Sequence, residues 1–257
     1  MYQPPPIAFS WKQETLSSCL PILLSLLFFV IYWFTANSIR VKNWFYSKYD
    51  YNRASVKHIF FTKYFGFVIM GVIPSAICLI ALPDFSLSDY GLTIISQTSL
   101  FSLVWIIGLS ILVIPIAIIS GKKKKNLINY PQIRAKVWDR KTVFVTAFGW
   151  ALFLFGYEFL FRGTLLFPLV KSLGVWPAIA INIALYSATH IPKGLDETIG
   201  AIPFGFVLCI LTLLSGTIWI AFFVHLVMAW TNCFTALKFH PDIHFVSSNK
   251  IESSKAD

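Results

Sequence analysis

The chain has 257 residues, of which 57% are hydrophobic and 12% are charged. This composition excludes a soluble globular domain and a disordered chain, and it predicts an all-α integral membrane protein. The formal net charge of +10 would suit a nucleic-acid-binding protein, but the basic residues are concentrated in two loops between apolar runs. We therefore expect the lipid bilayer to be a partner and nucleic acid not to be one.

Apolar runs predict a polytopic bundle of about seven transmembrane helices, because a helix needs about 20 mainly apolar residues to cross a bilayer. The predicted spans are residues 19–36, 60–82, 96–119, 143–170, 175–191, 199–215 and 217–238. The first run resembles a signal peptide in position, but it lacks a small-x-small cleavage site. We interpret it as a retained first helix.

The spans divide the chain into four predicted parts. Residues 1–18 are a polar amino-terminal segment, and residues 19–142 form a scaffold of three spans with basic loops. Residues 143–238 are the predicted functional domain, and residues 239–257 are a cytoplasmic tail. Polar side chains within apolar helices concentrate in the third part, where function is therefore expected.

Charge placement predicts the orientation of the helices. The loop between the first two spans, together with Lys63 just inside the second span, has six basic residues against Asp50, and the loop between the third and fourth has eight against Asp139. Basic loops remain in the cytoplasm. We expect the amino terminus outside, the carboxyl terminus in the cytoplasm, and the chain in the plasma (inner) membrane.

Several features near the predicted membrane surface have simpler interpretations. Residues 126–141 are predicted to form an interfacial helix with Trp138 at head-group depth, and Lys63 is expected to snorkel to the interface. The basic tract 121–126 is interpreted as a topology signal, with binding of anionic lipid head groups as the alternative. His240 and His244 have the HxxxH spacing of a metal site, but Pro241 breaks the helix that this site would need.

Glu158 and Arg162 lie inside the apolar run 143–170. They stand at positions i and i+4, where side chains meet on one helix face, so each offsets the cost of placing the other in hydrocarbon. Glu158, His190 and His225 are the residue types that hold a divalent metal such as zinc or activate water. We therefore consider these three as candidate catalytic residues and metal ligands, with a structural polar network as the alternative.

Three segments resemble motifs of one protein family. Tyr157 to Gly163 resembles the EExxxR motif of the CAAX prenyl protease and bacteriocin-processing proteins, the CPBP or Abi family of intramembrane proteases. Tyr186 to His190 resembles their FxxxH motif. Ser215 to Trp219, followed by His225, is similar to their Gly-Ser-Ile-Trp turn and the histidine of HxxxN. The resemblance implies an endopeptidase that hydrolyses a bond in a membrane-associated protein or peptide with water activated by a Glu/His site.

Two positions depart from the family pattern. Tyr157 occupies the place of the first Glu, which the family uses as the base that activates water, and Ala229 occupies the place of the Asn in HxxxN. A tyrosine, with an ordinary pKa of about 10, is a poor base at neutral pH. Arg162, Tyr157 and Asn232, the asparagine nearest to the expected position, are the candidate supporting residues.

These departures leave two mechanisms and two other functions open. In one mechanism Glu158 is the general base or a metal ligand; in the other, His190 and His225 activate water, Glu158 stays paired with Arg162, and Tyr157 donates a hydrogen bond to the substrate. A catalytically impaired scaffold or peptide-immunity protein is the first alternative function. A transporter with a Glu-His proton relay is the second.

The charge asymmetry generates the first testable prediction. A reporter fused after Leu87, in the acidic loop that follows the second span, should report the external side, because the basic loops remain in the cytoplasm. Protease protection or reporter activity in whole cells measures this. A cytoplasmic signal would contradict the predicted orientation.

Overall fold

A computed structural model of the protein describes residues 12–246. The predicted segment 1–18 and tail 239–257 therefore lie partly outside the described residues. Within the described part, six helices are long and apolar enough to cross a membrane, which confirms the all-α transmembrane class. They are Glu14–Ala36, Tyr51–Ala81, Ser96–Gly121, Arg140–Leu173, Leu195–Ser215 and Trp219–Phe239.

The described chain is built almost entirely of helices. The α-helices are α1 Gln13–Ala36, α2 Ile39–Lys48, α3 Tyr51–Gly66, α4 Ile73–Ala81, α5 Ser96–Gly121, α6 Lys124–Leu127, α7 Arg140–Glu158, α8 Leu166–Leu173, α9 Val175–Ala188, α10 Leu195–Ser215 and α11 Trp219–Phe239. Two π-helical segments, Phe67–Val72 and Phe159–Leu165, join α3 to α4 and α7 to α8. A 3₁₀ turn, Ile191–Lys193, precedes α10, and strands β1 Val137–Trp138 and β2 His244–Phe245 pair in parallel.

The predicted fifth span is the shortest of the crossing elements. It corresponds to α9, which has 14 residues, fewer than the about 20 that a spanning helix needs. Even so, α9 connects opposite ends of the bundle. Lys171, at the end of α8, lies 4.5 Å from the Phe85 ring in the loop before α5, whereas Asp196, at the start of α10, lies 3.7 Å from Lys125 beyond the other end of α5. Six long helices and one short connection thus come close to the predicted seven.

The two basic loops lie at the same end of the bundle. The backbone N–H of Arg134 donates to the Ser55 hydroxyl at 2.6 Å, and the backbone N–H of Lys136 donates to the Asn52 side chain at 2.9 Å. These bonds join the loop before α7 to the beginning of α3. This arrangement agrees with the charge asymmetry on which the predicted orientation rests.

The segment before α7 is not the interfacial helix that its composition predicts. Helix α6 ends at Leu127, and the chain then becomes irregular and extended up to β1. The cause is a long-range pairing: the Trp138 carbonyl accepts from the Val246 N–H at 2.8 Å. Trp138 is fully buried beside Ile133 and Ile243, so its ring packs inside the protein rather than against lipid head groups.

Lys63 is also buried rather than extended to the interface. Its side chain lies against Gly149 of α7, and its Nζ is 3.0 Å from the centroid of the Trp150 ring and 4.4 Å from that of Phe153. The negative faces of aromatic rings stabilise a desolvated ammonium group. A cation-π contact therefore takes the place of the expected head-group contact.

Glycines bring the first π-helical segment against α7. A Cβ atom on Gly71 would lie 2.6 Å from the Cα of Gly156, closer than atoms in contact allow. A similar contact occurs in the second π-helical segment, where a Cβ on Gly163 would lie 2.8 Å from the Tyr90 carbonyl oxygen. Backbone-to-backbone contact at such small residues is typical of helix packing in membranes. The contact at Gly156 fixes α7 two residues before Glu158.

This contact generates a prediction about stability. Gly71→Ala should lower the free energy of unfolding by about 1–3 kcal/mol, because the new methyl group would force the first π-helical segment away from α7. Gly108→Ala is the matched control, since no atom lies within 4 Å of its added Cβ. Equal unfolding free energies for Gly71→Ala and the wild type, measured by denaturation in detergent, would contradict the close contact.

Candidate active site

The structure places Glu158 and Arg162 together, as their spacing predicts. Glu158 is the last residue of α7, and Arg162 lies in the second π-helical segment. Glu158 Oε2 and Arg162 Nε are 3.5 Å apart, and both side chains are fully buried. Among the described residues the guanidinium nitrogens have no hydrogen-bond acceptor. The ionic attraction is therefore the main compensation for burying this cation.

His225 completes the contacts of the carboxylate. Its Nδ1 is 2.6 Å from Glu158 Oε1, across the interface between α11 and α7. Because Arg162 favours the ionised carboxylate, His225 donates through Nδ1–H, and in the neutral imidazole Nε2 is then the acceptor. A carboxylate that fixes the tautomer and orientation of an imidazole in this way is common at catalytic sites.

His190 has the same tautomer for a different reason. Its Nδ1 is 2.9 Å from the carbonyl oxygen of Tyr186, one turn earlier in the chain. The carbonyl oxygens of the last turn of a helix lack partners within that helix. Because a carbonyl oxygen only accepts, Nδ1 of His190 carries the proton. Nε2 of this imidazole is therefore also available as an acceptor.

Tyr157 links the two histidines. Its ring centroid is 6.4 Å from that of His190 and 5.8 Å from that of His225, and its ring plane is nearly perpendicular to both imidazoles. Its hydroxyl is 2.7 Å from the Thr189 hydroxyl, which donates to the Tyr186 carbonyl at 2.7 Å. Tyr157 therefore donates to Thr189. Both histidines thus contact one tyrosine that can donate a hydrogen bond.

Helix α9 supports the ion pair through two residues that were not predicted as site residues. The Tyr186 ring lies 4.1 Å from Arg162 Cζ, a cation-π contact. Asn182 donates to the Phe161 carbonyl at 2.6 Å and accepts from the Cys209 thiol at 3.2 Å. Asn182 and Tyr186 are four residues apart on α9, so both face the second π-helical segment. This four-residue spacing is the sequence signal from which the shared facing of Asn182 and Tyr186 could have been predicted.

Comparison with known families identifies the region that carries this site. Residues 139–231 match the family model described as Type II CAAX prenyl endopeptidase Rce1-like. This region is similar to Rce1-like type II CAAX prenyl endopeptidases, and we call it the Rce1-like domain. No curated protein and no solved structure matches the chain.

The match confirms the family resemblance and the membrane placement. It covers α7 to α10 and the larger part of α11, and therefore includes Glu158, Arg162, His190 and His225. The chain is an integral membrane protein with a region similar to a family of CAAX prenyl endopeptidases. Helices α1 to α5 lie outside the matched region.

The structure does not bring Asn232 to the histidines. Asn232 lies seven residues after His225 on α11, or about 10 Å along the helix axis, and its backbone carbonyl faces Gly121 of α5. Ala229, one turn after His225, packs in an apolar cluster with Trp150. Neither residue supplies a polar group beside His225 in this structure.

The predicted zinc-like site of Glu158, His190 and His225 does not fit this geometry. Among residues 12–246, no group of three or more His, Cys, Asp or Glu side chains is arranged to hold a metal ion. The two oxygens of Glu158 face His225 and Arg162. A bound metal remains a prediction, and none of the steps proposed below uses one.

The buried ion pair generates a prediction for the Rce1-like domain. Glu158→Gln should lower the free energy of unfolding by about 3–5 kcal/mol, because Arg162 would be left as an unpaired buried charge. The double variant Glu158→Gln with Arg162→Met should recover most of this loss. Denaturation in detergent provides the measurement.

The matched control for this prediction is Glu197→Gln. Glu197 lies 3.7 Å from Lys193 in a part-exposed pair, and such pairs contribute only about 0–1 kcal/mol. If the double variant lost as much stability as the separate losses of Glu158→Gln and Arg162→Met added together, the ion pair would not be the source of the lost stability.

Proposed function

We propose that the Rce1-like domain is an active intramembrane endopeptidase that hydrolyses a peptide bond in a membrane-associated protein or peptide. The observation that carries this proposal is the hydrogen bond of 2.6 Å between His225 Nδ1 and the buried carboxylate of Glu158. It holds His225 in the tautomer that accepts a proton at Nε2. His190 has the same tautomer and contacts the same tyrosine.

His225 is the proposed general base. Its Nε2 takes a proton from water while the water oxygen attacks the carbonyl carbon of the substrate. The C–N bond then breaks, the imidazolium returns the proton to the leaving nitrogen, and the products are a carboxylic acid and an amine. Glu158 stabilises the imidazolium because its negative charge lies against Nδ1 throughout.

His190 and Tyr157 complete the proposed mechanism. The free Nε2 of His190 accepts the second hydrogen of the attacking water and orients it. The Tyr157 hydroxyl leaves its hydrogen bond with Thr189 and donates instead to the substrate carbonyl oxygen, on which negative charge develops. Tyr157 therefore acts as a neutral donor, a role that needs no ionisation of the phenol.

The alternative route, with Glu158 as the general base, has less support. Both carboxylate oxygens already have partners, His225 at Oε1 and Arg162 at Oε2. Attack through Glu158 would require the ion pair to separate in a buried environment, where an uncompensated charge is costly. The histidine route leaves these contacts intact.

A catalytically impaired peptide-binding protein is the second candidate function. Two residues favour this function. Tyr157 stands in the position of the family's base, and Ala229 lies in an apolar cluster. Wild-type protein that binds but does not cleave membrane peptides would support this function and contradict the proposed one.

The test uses the purified full chain in liposomes with quenched fluorogenic membrane peptides. Because the family description names CAAX prenyl endopeptidases, the first substrate is a prenylated peptide that ends in a CAAX sequence. His225→Gln should abolish cleavage. Tyr157→Phe should lower kcat roughly tenfold to a thousandfold through the loss of one donor to the oxyanion.

Tyr51→Phe is the control for Tyr157→Phe, since it removes a phenol hydroxyl from an exposed residue at the start of α3. It should leave kcat unchanged. Full activity of Tyr157→Phe would exclude the proposed oxyanion contact. Activity that survives His190→Ala combined with His225→Ala would exclude a histidine mechanism.

A further inference from the structure

Lys63 is a buried cation near the active site that the proposed mechanism does not use. Its side chain is 4% exposed, and among residues 12–246 no carboxylate lies within ion-pair distance of it. Arg162, the other buried Lys or Arg residue of the described chain, has Glu158 as its partner. The ammonium group of Lys63 contacts the faces of Trp150 and Phe153, which carry no net charge. It therefore lacks an anion, although buried charges are normally paired.

Phe153 connects Lys63 to the active site. The Nζ of Lys63 is 4.4 Å from the centroid of the Phe153 ring, which is 5.9 Å from the centroid of the Tyr157 ring. Nζ therefore lies at most about 10 Å from the centre of the Tyr157 ring, a distance that about three residues of extended peptide cover at 3.3–3.6 Å per residue. A substrate whose cleaved bond contacts Tyr157 can thus reach Lys63 within about three residues.

Lys63 lies on the side of Tyr157 that faces the basic end of the bundle. Helix α7 begins at that end, and Trp150 and Phe153 precede Tyr157 by seven and four residues, or about 10 and 6 Å along the axis at 1.5 Å per residue. The Phe153 ring remains partly exposed although it also packs against Tyr32 of α1. A lysine has three donors on a flexible four-carbon stem, so Nζ can turn from the rings to an acceptor beside Phe153.

We propose that Lys63 binds a carboxylate of the peptide substrate, within about three residues of the cleaved bond. This inference rests on the proposed peptidase function and adds a residue that selects the substrate. The carboxylate comes from the carboxyl terminus of the substrate or from an acidic side chain, since both present the same chemistry to an ammonium group. Lys63 determines specificity because a neutral group in the same place leaves the buried cation without an anion.

Binding of fluorescent peptides to the full chain in liposomes tests the proposal, in a His225→Gln background that prevents cleavage. The first two peptides are prenylated, share one CAAX sequence and end in a free carboxylate or a carboxamide. The second two both end in a carboxamide and have Glu or Gln as the last residue. In at least one pair the charged peptide should bind roughly tenfold to a hundredfold more tightly, as expected for a charge-assisted contact. Lys63→Met should remove this preference.

Lys171→Met is the matched control, because Lys171 also lies over a phenylalanine ring, that of Phe85, but at the opposite end of the bundle. It should leave the preference unchanged. If Lys63→Met weakened the binding of charged and neutral peptides equally, Lys63 would have only a structural role and the proposal would be overturned. Equal binding of the charged and neutral peptides in both pairs, with Lys63 in place, would also overturn it.

The wild type separates this proposal from the proposed function. Binding that prefers the carboxylate without any cleavage would support the role of Lys63 and contradict the peptidase function. Cleavage with equal kcat/KM for the charged and neutral peptides would contradict the role of Lys63 and leave the peptidase function intact. If His225→Gln does not fold, this ratio of kcat/KM values in the wild type and in Lys63→Met replaces the binding measurement.

Discussion

The buried ion pair of Glu158 and Arg162 is the constraint on which the site depends. A lone charge in hydrocarbon costs a few kcal/mol or more, so each partner needs the other and its further contacts. Arg162 has the Tyr186 ring on one side, and Glu158 has the Nδ1–H of His225 on the other. One electrostatic requirement therefore fixes the relative positions of α7, α9 and α11, and it also orients an imidazole.

The second π-helical segment shows how the fold meets this requirement. A π-helical turn rotates the residues that follow it to a different side of the helix and changes the hydrogen-bond partners of its carbonyl groups. Such turns are frequent at functional sites. Here Asn182 donates to the Phe161 carbonyl. Gly156 and Gly163, on either side of the ion pair, permit backbone contact with neighbouring segments. Local irregularity and close packing thus act together to hold two charges in a buried position.

The sequence predicts the parts of the site that rest on local spacing or on residue type. Glu158 and Arg162 follow from the i, i+4 rule, and His190 and His225 follow from the rarity of such groups in apolar helices. The contact of Tyr157 with Thr189 and the burial of Trp138 could not be predicted in this way, because both depend on residues brought together only by tertiary packing. Proximity in sequence predicts Asn232 as the asparagine of HxxxN, but two helical turns separate it from His225.

The pairing of β1 with β2 has a geometric consequence for the active site. It ties the residue pair just before α7 to the pair just after α11, so the helices that carry Glu158 and His225 share a fixed pivot at the basic end of the bundle. Glu158 lies 18 residues beyond Arg140, a lever arm of about 27 Å at 1.5 Å per residue. A tilt of one degree at the pivot would move the carboxylate by about 0.5 Å over such an arm. Each strand of the pair has only two residues. By fixing the angle of α7, the pair limits how far a tilt of this long helix can displace Glu158 from its hydrogen bond with His225.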